Sequence, residues 1–414
     1  YEILSGLVGS EMCIRDSFST PLTIRVGQPK KRSNTCGFSA HHVVPAPRED
    51  VWAWHTRQGA LTRLNAPFAF MRPLQQATDL GKGTSILGFP GGLQWKAQHL
   101  LSGYQEGYSF SDECVNSPLR QVTQWRHTHS FADDPAGTRI TDEVSTHIPP
   151  AALNSVFAYR QHQLIEDFSF LQRLRAAGLN TQHLTIAITG SRGSVGTALT
   201  AQLRTAGHTV IQLVRGKAGE GQRHWNPNSP DPALLHGVDV VVHLAGEPIF
   251  GRFNEKHKAA IRDSRVGPTQ RLARIAGETS SVKTMVCASA VGFYGSNRGD
   301  ELLTEDSESG DGFLADVVRQ WEDACEPARA AGTRVVNIRT GIAMAGNAGL
   351  LPLLRALFST GLGGPFGDGK FCFSWVSIDD LTDAYSAPSW MIRFLARSMR
   401  PPPILYSIRI LLPH

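Results

Sequence analysis

At 414 residues with 41% hydrophobic side chains, the chain exceeds the usual size of one core, so two domains are expected and neither a disordered nor a fibrous protein fits. A formal net charge of +5 is small for this length, and Lys and Arg are scattered rather than gathered into the stripe that nucleic-acid binders carry. Small-molecule partners are therefore expected, with no nucleic acid; oligomeric state stays open. No apolar run approaches the ~20 residues of a membrane helix, and the six cysteines (Cys13, Cys36, Cys114, Cys287, Cys325, Cys372) lack any C-x-x-C pair or zinc spacing. Reduced thiols in a cytoplasmic protein are expected.

Residues 1–17, YEILSGLVGSEMCIRDS, are not a signal peptide: Glu2 stands where positive charge belongs, and no continuous apolar stretch follows. They resemble a translated sequencing-adapter tail and are expected to be non-native; a disordered natural N-terminus is the alternative.

A first domain is expected over 38–178. An extended opening, FSAHHVVPAP, precedes an amphipathic stretch, REDVWAWHTRQGALTRL. Strand-like segments follow: TSILGF, WKAQHLLSGYQEGYSFSDEC, VTQWRHTHSF and GTRITDEVSTHI, separated by Gly, Pro, Asn and Asp turn signals. VFAYRQHQLIEDFSFLQRLRAAG has apolar residues at helical spacing and ends on Gly178, a helix-capping glycine. The pattern predicts a curved antiparallel sheet wrapped around one long helix. His127 and His129 alternate on one strand face and can both meet a cavity. A metal site needs at least a third ligand and the sequence suggests none, so pocket-lining roles are expected and no metal. Trp52, Trp54, Trp95 and Trp125 are expected in the core or cavity wall.

Phe110-x-Asp112 followed by Trp125-x-His127-x-His129-x-Phe131 resembles the START-like, polyketide-cyclase and coenzyme-Q-binding superfamily (SRPBCC). That resemblance covers about 140 residues on diffuse motifs and implies an α+β helix-grip domain enclosing an apolar small-molecule ligand.

In LTIAITGSRGSVGTALTAQLRTAGHTVIQLVR, Leu184 to Ile188 is a short apolar run and Gly190, Gly193 and Gly196 fall three apart. A helix pattern reaches Ala206, Gly207 stops it, and a strand runs from His208 to Val214. Glycines let backbone approach a pyrophosphate, while free N–H groups and the positive end of the helix hold its charge. Gly190, Ser191, Arg192, Gly193, Ser194, Val195 and Gly196 are therefore candidate cofactor contacts. Arg215 stands where an Asp or Glu would bind a ribose 2′-hydroxyl, and an Arg there accepts a 2′-phosphate, so NADP(H) is expected over NAD(H); a plain surface charge is the alternative. GVDVVVHLAGEPI gives a strand with an apolar centre, Val238 to Leu244, running into Leu244, Ala245, Gly246 and Glu247, further cofactor-side candidates. TMVCASAVGFYG and TRVVNIRTGIAM supply two more strands of the kind buried on both faces.

TGSRGSVG, HLAGEPI, SRVGPT, SAVGFYG, RTGIAM and GLGGPFGDGKFCFSWVSIDDL together closely resemble the extended short-chain dehydrogenase/reductase superfamily, within it the NAD(P)-dependent epimerase-like proteins of SDR family 39 type. The resemblance spans about 200 residues, Leu184 to Tyr385, and implies a doubly wound α/β Rossmann domain over 184–385. It further implies that the Gly361–Lys370 loop and Trp375 border the substrate side.

Hydride-transferring members of that superfamily use a Ser or Thr and a Tyr-x-x-x-Lys, the Lys lowering the Tyr pKa. Ser289 matches the first position, but Phe313 and Val317 occupy the Tyr and Lys positions and can move no proton. Tyr294 is a substitute acid or a packing residue, Glu247 a base or a solvated carboxylate, and Asp380 a cap for a helix begun at Leu381 beside Asp379. Two readings result: an NADP(H)-dependent oxidoreductase or epimerase-like enzyme with a fused hydrophobic-ligand domain, or a non-catalytic NADP(H)-sensing, ligand-binding protein. Gly216–Asp231 is a polar loop with no assigned role.

After Tyr385 the composition changes abruptly. With permitted codons shifted by one base, Pro388–Leu405 reads IMDDSLSGPVNAAAPNP, whose GPVNAAAPNP fits the same family. Residues 386–414 are therefore expected to be frame-shifted and non-native.

Overall fold

The computed structural model describes residues 36–179, 182–299, 301–364, 373–390 and the backbone of 404–407; residues 1–17 and most of the tail beyond 390 lie outside these. The chain divides into two compact units, with a break after Arg173.

The first unit runs β1 (Cys36–Val44), α1 (Arg48–Thr56), α2 (Ala60–Leu64), β2 (Arg72–Gln75), β3 (Thr84–Gly88), β4 (Gln94–His99), β5 (Ser109–Cys114), α3 (Leu119–Thr123), β6 (Arg126–Asp134), β7 (Gly137–Thr146) and α4 (Pro150–Ala176). Its seven strands form one antiparallel sheet in the order β1-β7-β6-β5-β4-β3-β2. The period of two is visible in burial: on β6, His127, His129 and Phe131 point inward, and on β7, Thr138, Ile140, Asp142, Val144 and Thr146 do. Helix α4 lays Leu164 and Phe168 into the core with Trp54, Phe110 and Ile140, and Leu153 and Phe157 against Phe38, Ala40 and Val144. It ends in a Schellman turn: Gly178 has φ +73°, its N–H donates to Arg175 O and the Leu179 N–H donates to Leu174 O, both at 3.0 Å.

Three local readings of the sequence are corrected here. The segment from Trp95 to Cys114 is two strands, β4 and β5, because Gly103 and Gly107 (φ +77°) turn the chain between them. The amphipathic stretch breaks into α1 and α2 at Gly59, whose φ of +109° no helix accommodates. Val122 and Thr123 belong to helix α3, so β6 starts only at Arg126.

The second unit runs β8 (Thr185–Thr189), α5 (Ser194–Thr205), β9 (Thr209–Val214), β10 (Gln222–His224), β11 (Val240–His243), α6 (Glu255–Asp263), α7 (Val266–Glu278), β12 (Thr284–Ala290), α8 (Phe313–Asp323), α9 (Glu326–Ala330), β13 (Arg334–Thr340), β14 (Ile342–Met344), α10 (Leu350–Ser359), β15 (Trp375–Ser377), α11 (Ile378–Trp390) and β16 (Ile404–Ser407). The main sheet is parallel, in the order β10-β9-β8-β11-β12-β13-β16. Ile186, Ile188, Val240 and Val242 pack on one face with Leu199, Leu203 and Leu381. Ala187, Val241, Met285 and Cys287 pack on the other with Leu272, Trp321 and Ala328. Burial on both faces makes these strands continuously apolar, as a doubly wound sheet requires.

The polar loop Gly216–Asp231 carries β10 and one buried anchor, Trp225, whose ring stands edge-on to His243 at 5.8 Å. Helix α11 starts at Ile378, not Leu381. Ser377 Oγ accepts the Asp380 N–H at 3.0 Å and donates to Asp380 Oδ2 at 2.7 Å, so Ser377 is the cap and Asp380 its reciprocal partner. Of the segment expected to be frame-shifted, 386–390 continues α11 and 404–407 pairs with β13 as β16. Cys114, Cys287 and Cys325 are buried free thiols, and no described helix is long and apolar enough to cross a membrane.

Candidate functional site

The chain reverses direction across the parallel sheet at β8, which lies between β9 and β11. Ligands of such sheets bind beyond the strand carboxyl ends at this switch point, and β8 ends in the glycine turn. Gly190 has φ +67°, and a Cβ on it would lie 2.8 Å from the Leu244 carbonyl carbon. A Cβ on Gly196 would lie 2.3 Å from Gly190 O, so helix α5 can pack against the turn only through a glycine. Gly193 meets nothing nearer than Gly190 O at 3.3 Å, which leaves room on its outer side. Arg192, Gly193 and Ser194 are exposed at the start of α5, Val195 is half-buried, and Ser191 Oγ is buried without a hydrogen-bond partner among the described residues. A concave backbone face, a free hydroxyl and the positive end of a helix together suit an anionic diphosphate.

Arg215 follows β9 directly and is exposed. The loop after β11 places Leu244 and Ala245 half-buried and Gly246 and Glu247 exposed. Arg265 holds it: Nη2 donates to Glu247 O at 3.0 Å, Nη1 donates to Ile261 O at 3.1 Å, and the guanidinium lies 5.1 Å from the Trp321 ring centre. Ser264 Oγ accepts the Glu247 N–H at 2.9 Å.

Beneath the turn lies a chain of buried groups. Thr189 Oγ1 accepts the N–H groups of Leu244 (3.1 Å) and Ala245 (3.2 Å), so its own proton goes to His243 Nδ1 at 2.7 Å. His243 Nε2 then donates to Thr269 Oγ1 at 3.0 Å, which also accepts from Trp321 Nε1 at 3.0 Å. Burial, helped by the Arg265 charge, lowers the His243 pKa from 6.5 to about 4. Between those values the unfolded chain binds a proton that the folded one refuses. Stability therefore falls as pH drops from 6.5 towards 4, by roughly 3 kcal/mol from this group. Urea unfolding at pH 7 and pH 4.5 should show the gap between wild type and His243→Gln narrowing at the lower pH; a constant gap would refute it.

The two candidate proton-transfer groups sit on one buried ion pair. Glu322 and Arg339 bond through both carboxylate oxygens at 2.9 Å, with side-chain exposures of 9% and 1%. Ser289 Oγ donates to Glu322 Oε1 at 2.5 Å, and Arg339 Nη1 donates to Tyr294 OH at 3.0 Å. The Arg339 guanidinium also lies over the Phe293 ring, 3.4 Å from its centre. Ser289 and Tyr294 are both buried. Phe313 opens α8 against Phe253, and Val317 is buried. The Gly361–Lys370 loop lies outside the described residues from 365 onward; Trp375 is half-buried on β15.

The first unit contains a cavity of about 230 Å³ with largely apolar walls, among them Leu64, Met71, Leu80 and Leu87. Its polar end is formed by Asp112, His127 and His129, with His99 beside them. The reading that His127 and His129 have no third companion is corrected: cross-strand register sets Asp112 opposite His127 and brings the three together. Asp142, opposite His129, accepts from His127 Nε2 (2.8 Å) and His129 Nδ1 (2.9 Å). Burial raises the Asp142 carboxyl, yet these two imidazoles outweigh it and hold it well below the usual carboxylate range. Of the four tryptophans expected in core or wall, Trp95 and Trp125 line the cavity, while Trp52 and Trp54 are in the core.

The family model of the NAD dependent epimerase/dehydratase family matches residues 186–388. An epimerase family protein of Mycobacterium tuberculosis is 43% identical over 199 residues, 47% of this chain and 65% of that protein. YfhF of Bacillus subtilis, another epimerase family protein, is 36% identical over 206 residues, covering 48% of this chain and 67% of its own. The chain belongs to the NAD-dependent epimerase/dehydratase family. It spans about 65% of the length of the mycobacterial relative. A crystal structure described as a nucleoside-diphosphate sugar epimerase from Corynebacterium glutamicum is 54% identical, covers 85% of this chain and 75% of its own, and superposes with a TM-score of 0.79. That coverage exceeds the epimerase-family half, so the similarity includes the antiparallel unit.

Within this epimerase-family chain, sequence reading located the glycine turn because its signal is local. It missed the Thr189–His243–Thr269 chain, the Glu322–Arg339 pair and the Asp112 and Asp142 carboxylates. An Arg inside a strand expected to be buried on both faces, as Arg339 is in VVNIRT, was the available signal for the second.

Proposed function

We propose that the protein is an NADP(H)-binding oxidoreductase or nucleotide-sugar-epimerase-like enzyme whose first unit is a START-like domain holding an apolar small molecule. It works in the cytoplasm. The observation that carries this reading is the backbone cradle at the switch point, where Gly190 and Gly196 admit no side chain and Ser191 Oγ is left free. The turn and the start of α5 hold the pyrophosphate, Arg215 meets the 2′-phosphate, and the Leu244–Glu247 loop borders the nicotinamide side. The nicotinamide supplies the hydride chemistry when bound. The Corynebacterium protein, described as a nucleoside-diphosphate sugar epimerase, supports the substrate class. An antiparallel sheet with a 27-residue helix and an apolar cavity supports the START-like assignment of the first unit.

A second reading, a non-catalytic NADP(H) sensor, is favoured by one observation. Ser289 and Tyr294 are engaged by Glu322 and Arg339, and Phe313 and Val317 carry no proton. Calorimetric titration of NADPH and NADH into wild type and Arg215→Ala tests the shared part. NADPH should bind more tightly, on the order of tenfold or more, and the substitution should erase the preference. If neither dinucleotide binds, the glycine turn is architecture alone. If NADPH binds and no nucleotide sugar is turned over, the sensor reading stands.

A further inference from the structure

We propose that Asp112, His127 and His129 form a mononuclear site for a divalent first-row transition metal at the polar end of the cavity in the first unit. Asp142 acts as the positioning residue for both imidazoles.

The argument starts from protons. Asp142 Oδ1 accepts from His127 Nε2 and from His129 Nδ1, so those nitrogens carry the ring hydrogens. The lone pairs are thereby left on His127 Nδ1 and His129 Nε2. A buried carboxylate that fixes the tautomer and orientation of metal-binding histidines is the usual outer support of such sites, and here one carboxylate serves two rings. His129 is further held by stacking on Phe110 at 4.2 Å, and His127 by edge contacts with Trp125 (5.7 Å) and Phe157 (5.3 Å).

Asp112 completes the set. Its Oδ1 accepts from Trp125 Nε1 at 3.3 Å, while Oδ2 faces His127 Nδ1 across 3.8 Å. That gap is too long for a hydrogen bond. It sets two electron-pair donors against each other, which a cation between them relieves. Metal–ligand bonds of about 2.0–2.2 Å give ligand-to-ligand edges of about 3 to 4 Å, so 3.8 Å is within reach of a shared ion. One ligand atom from each of the three residues lies within 4.8 Å of the others, and no other such group occurs among the described residues. The site is dry: His127 and His129 side chains are 5% exposed and Asp112 13%. His99, opposite Asp112 in the sheet, adds a buried Nδ1 with no partner among the described residues.

Two imidazoles and one carboxylate suit zinc, iron(II), cobalt(II) or manganese(II) rather than magnesium or calcium. Three protein ligands leave coordination positions open, and the open side is the apolar cavity, so an oxygen of a cavity ligand would complete the shell. This site rests on the cavity geometry and is independent of dinucleotide binding.

The test is titration of the full chain, stripped with chelator, with cobalt(II) followed by visible absorption, then displacement by zinc(II). One equivalent should bind with the intense bands of a four- or five-coordinate ion. His129→Ala and Asp112→Asn should each weaken binding by on the order of a hundredfold, and Asp142→Asn by about 10–100-fold. Asp112→Asn keeps an oxygen acceptor for Trp125, so far-ultraviolet circular dichroism should match wild type, which separates a lost site from a lost fold. Absence of one-equivalent cobalt binding in folded wild type overturns the proposal. Binding that survives all three substitutions overturns it equally, by placing the metal elsewhere.

Discussion

Glu322→Ala is expected to destabilise the epimerase-family unit by about 3–5 kcal/mol, because it strands Arg339, 1% exposed, without its counter-charge. The loss exceeds that of an ordinary surface ion pair several-fold. Three further contacts go with it: the Ser289 hydroxyl loses its acceptor, and the placement of Arg339 against Tyr294 and over Phe293 loosens. The double substitution Glu322→Leu with Arg339→Met should recover much of the stability, since buried ion pairs are often replaceable by apolar residues of similar volume. Urea unfolding of the two variants beside wild type measures this. A single-variant loss below about 1 kcal/mol would mean that water reaches the pair.

Gly196→Ala and Gly193→Ala should separate the two jobs of the glycine turn. At Gly196 the new methyl meets Gly190 O at 2.3 Å and Ser191 Cα at 2.7 Å, both backbone atoms that cannot rotate away. The turn must open, so both thermal stability and NADPH affinity should fall, the affinity on the order of a hundredfold, which is about 2.7 kcal/mol. At Gly193 the nearest atom is 3.3 Å away and the outer side is open. That variant should keep its stability and lose affinity only, because the methyl occupies the space where backbone approaches the pyrophosphate. Differential scanning calorimetry with and without NADPH reads both quantities. Equal stability losses in the two variants would show that neither glycine is reserved for the cofactor.

The parts of this architecture that were legible in the sequence are those whose cause is local. β8, its turn and α5 follow from an apolar run, glycines at fixed spacing and a helical period within 22 residues of chain, Leu184 to Thr205. The parts that were not legible depend on partners brought together by the fold. His243 reads as one polar residue after three valines; its role exists only once Thr189, Thr269 and Trp225 surround it. The partnership of Asp112 and Asp142 with the histidines exists only once the register of β5 and β7 with β6 sets them side by side. Trp225, inside a stretch that reads as a polar loop, is buried because β10 adds to the sheet edge. The boundary errors have a simpler origin: Gly59 and Gly107 interrupt elements whose apolar pattern continues past them.

The pairing of β1 with β7 has a consequence for synthesis. Cys36 pairs with Thr146 and Val44 with Thr138, so β1 leaves the ribosome roughly a hundred residues ahead of β7, its only partner in the sheet among the described residues. The hairpin β6–β7, closed by the four residues Asp134 to Gly137, can form as soon as it emerges. The neighbouring strands β2 to β7 can pair in turn as they emerge, and β1 is expected to join last, at β7. Until then a nine-residue strand with a free edge is held in a growing chain, a stage at which a chaperone that covers extended segments would raise the yield most.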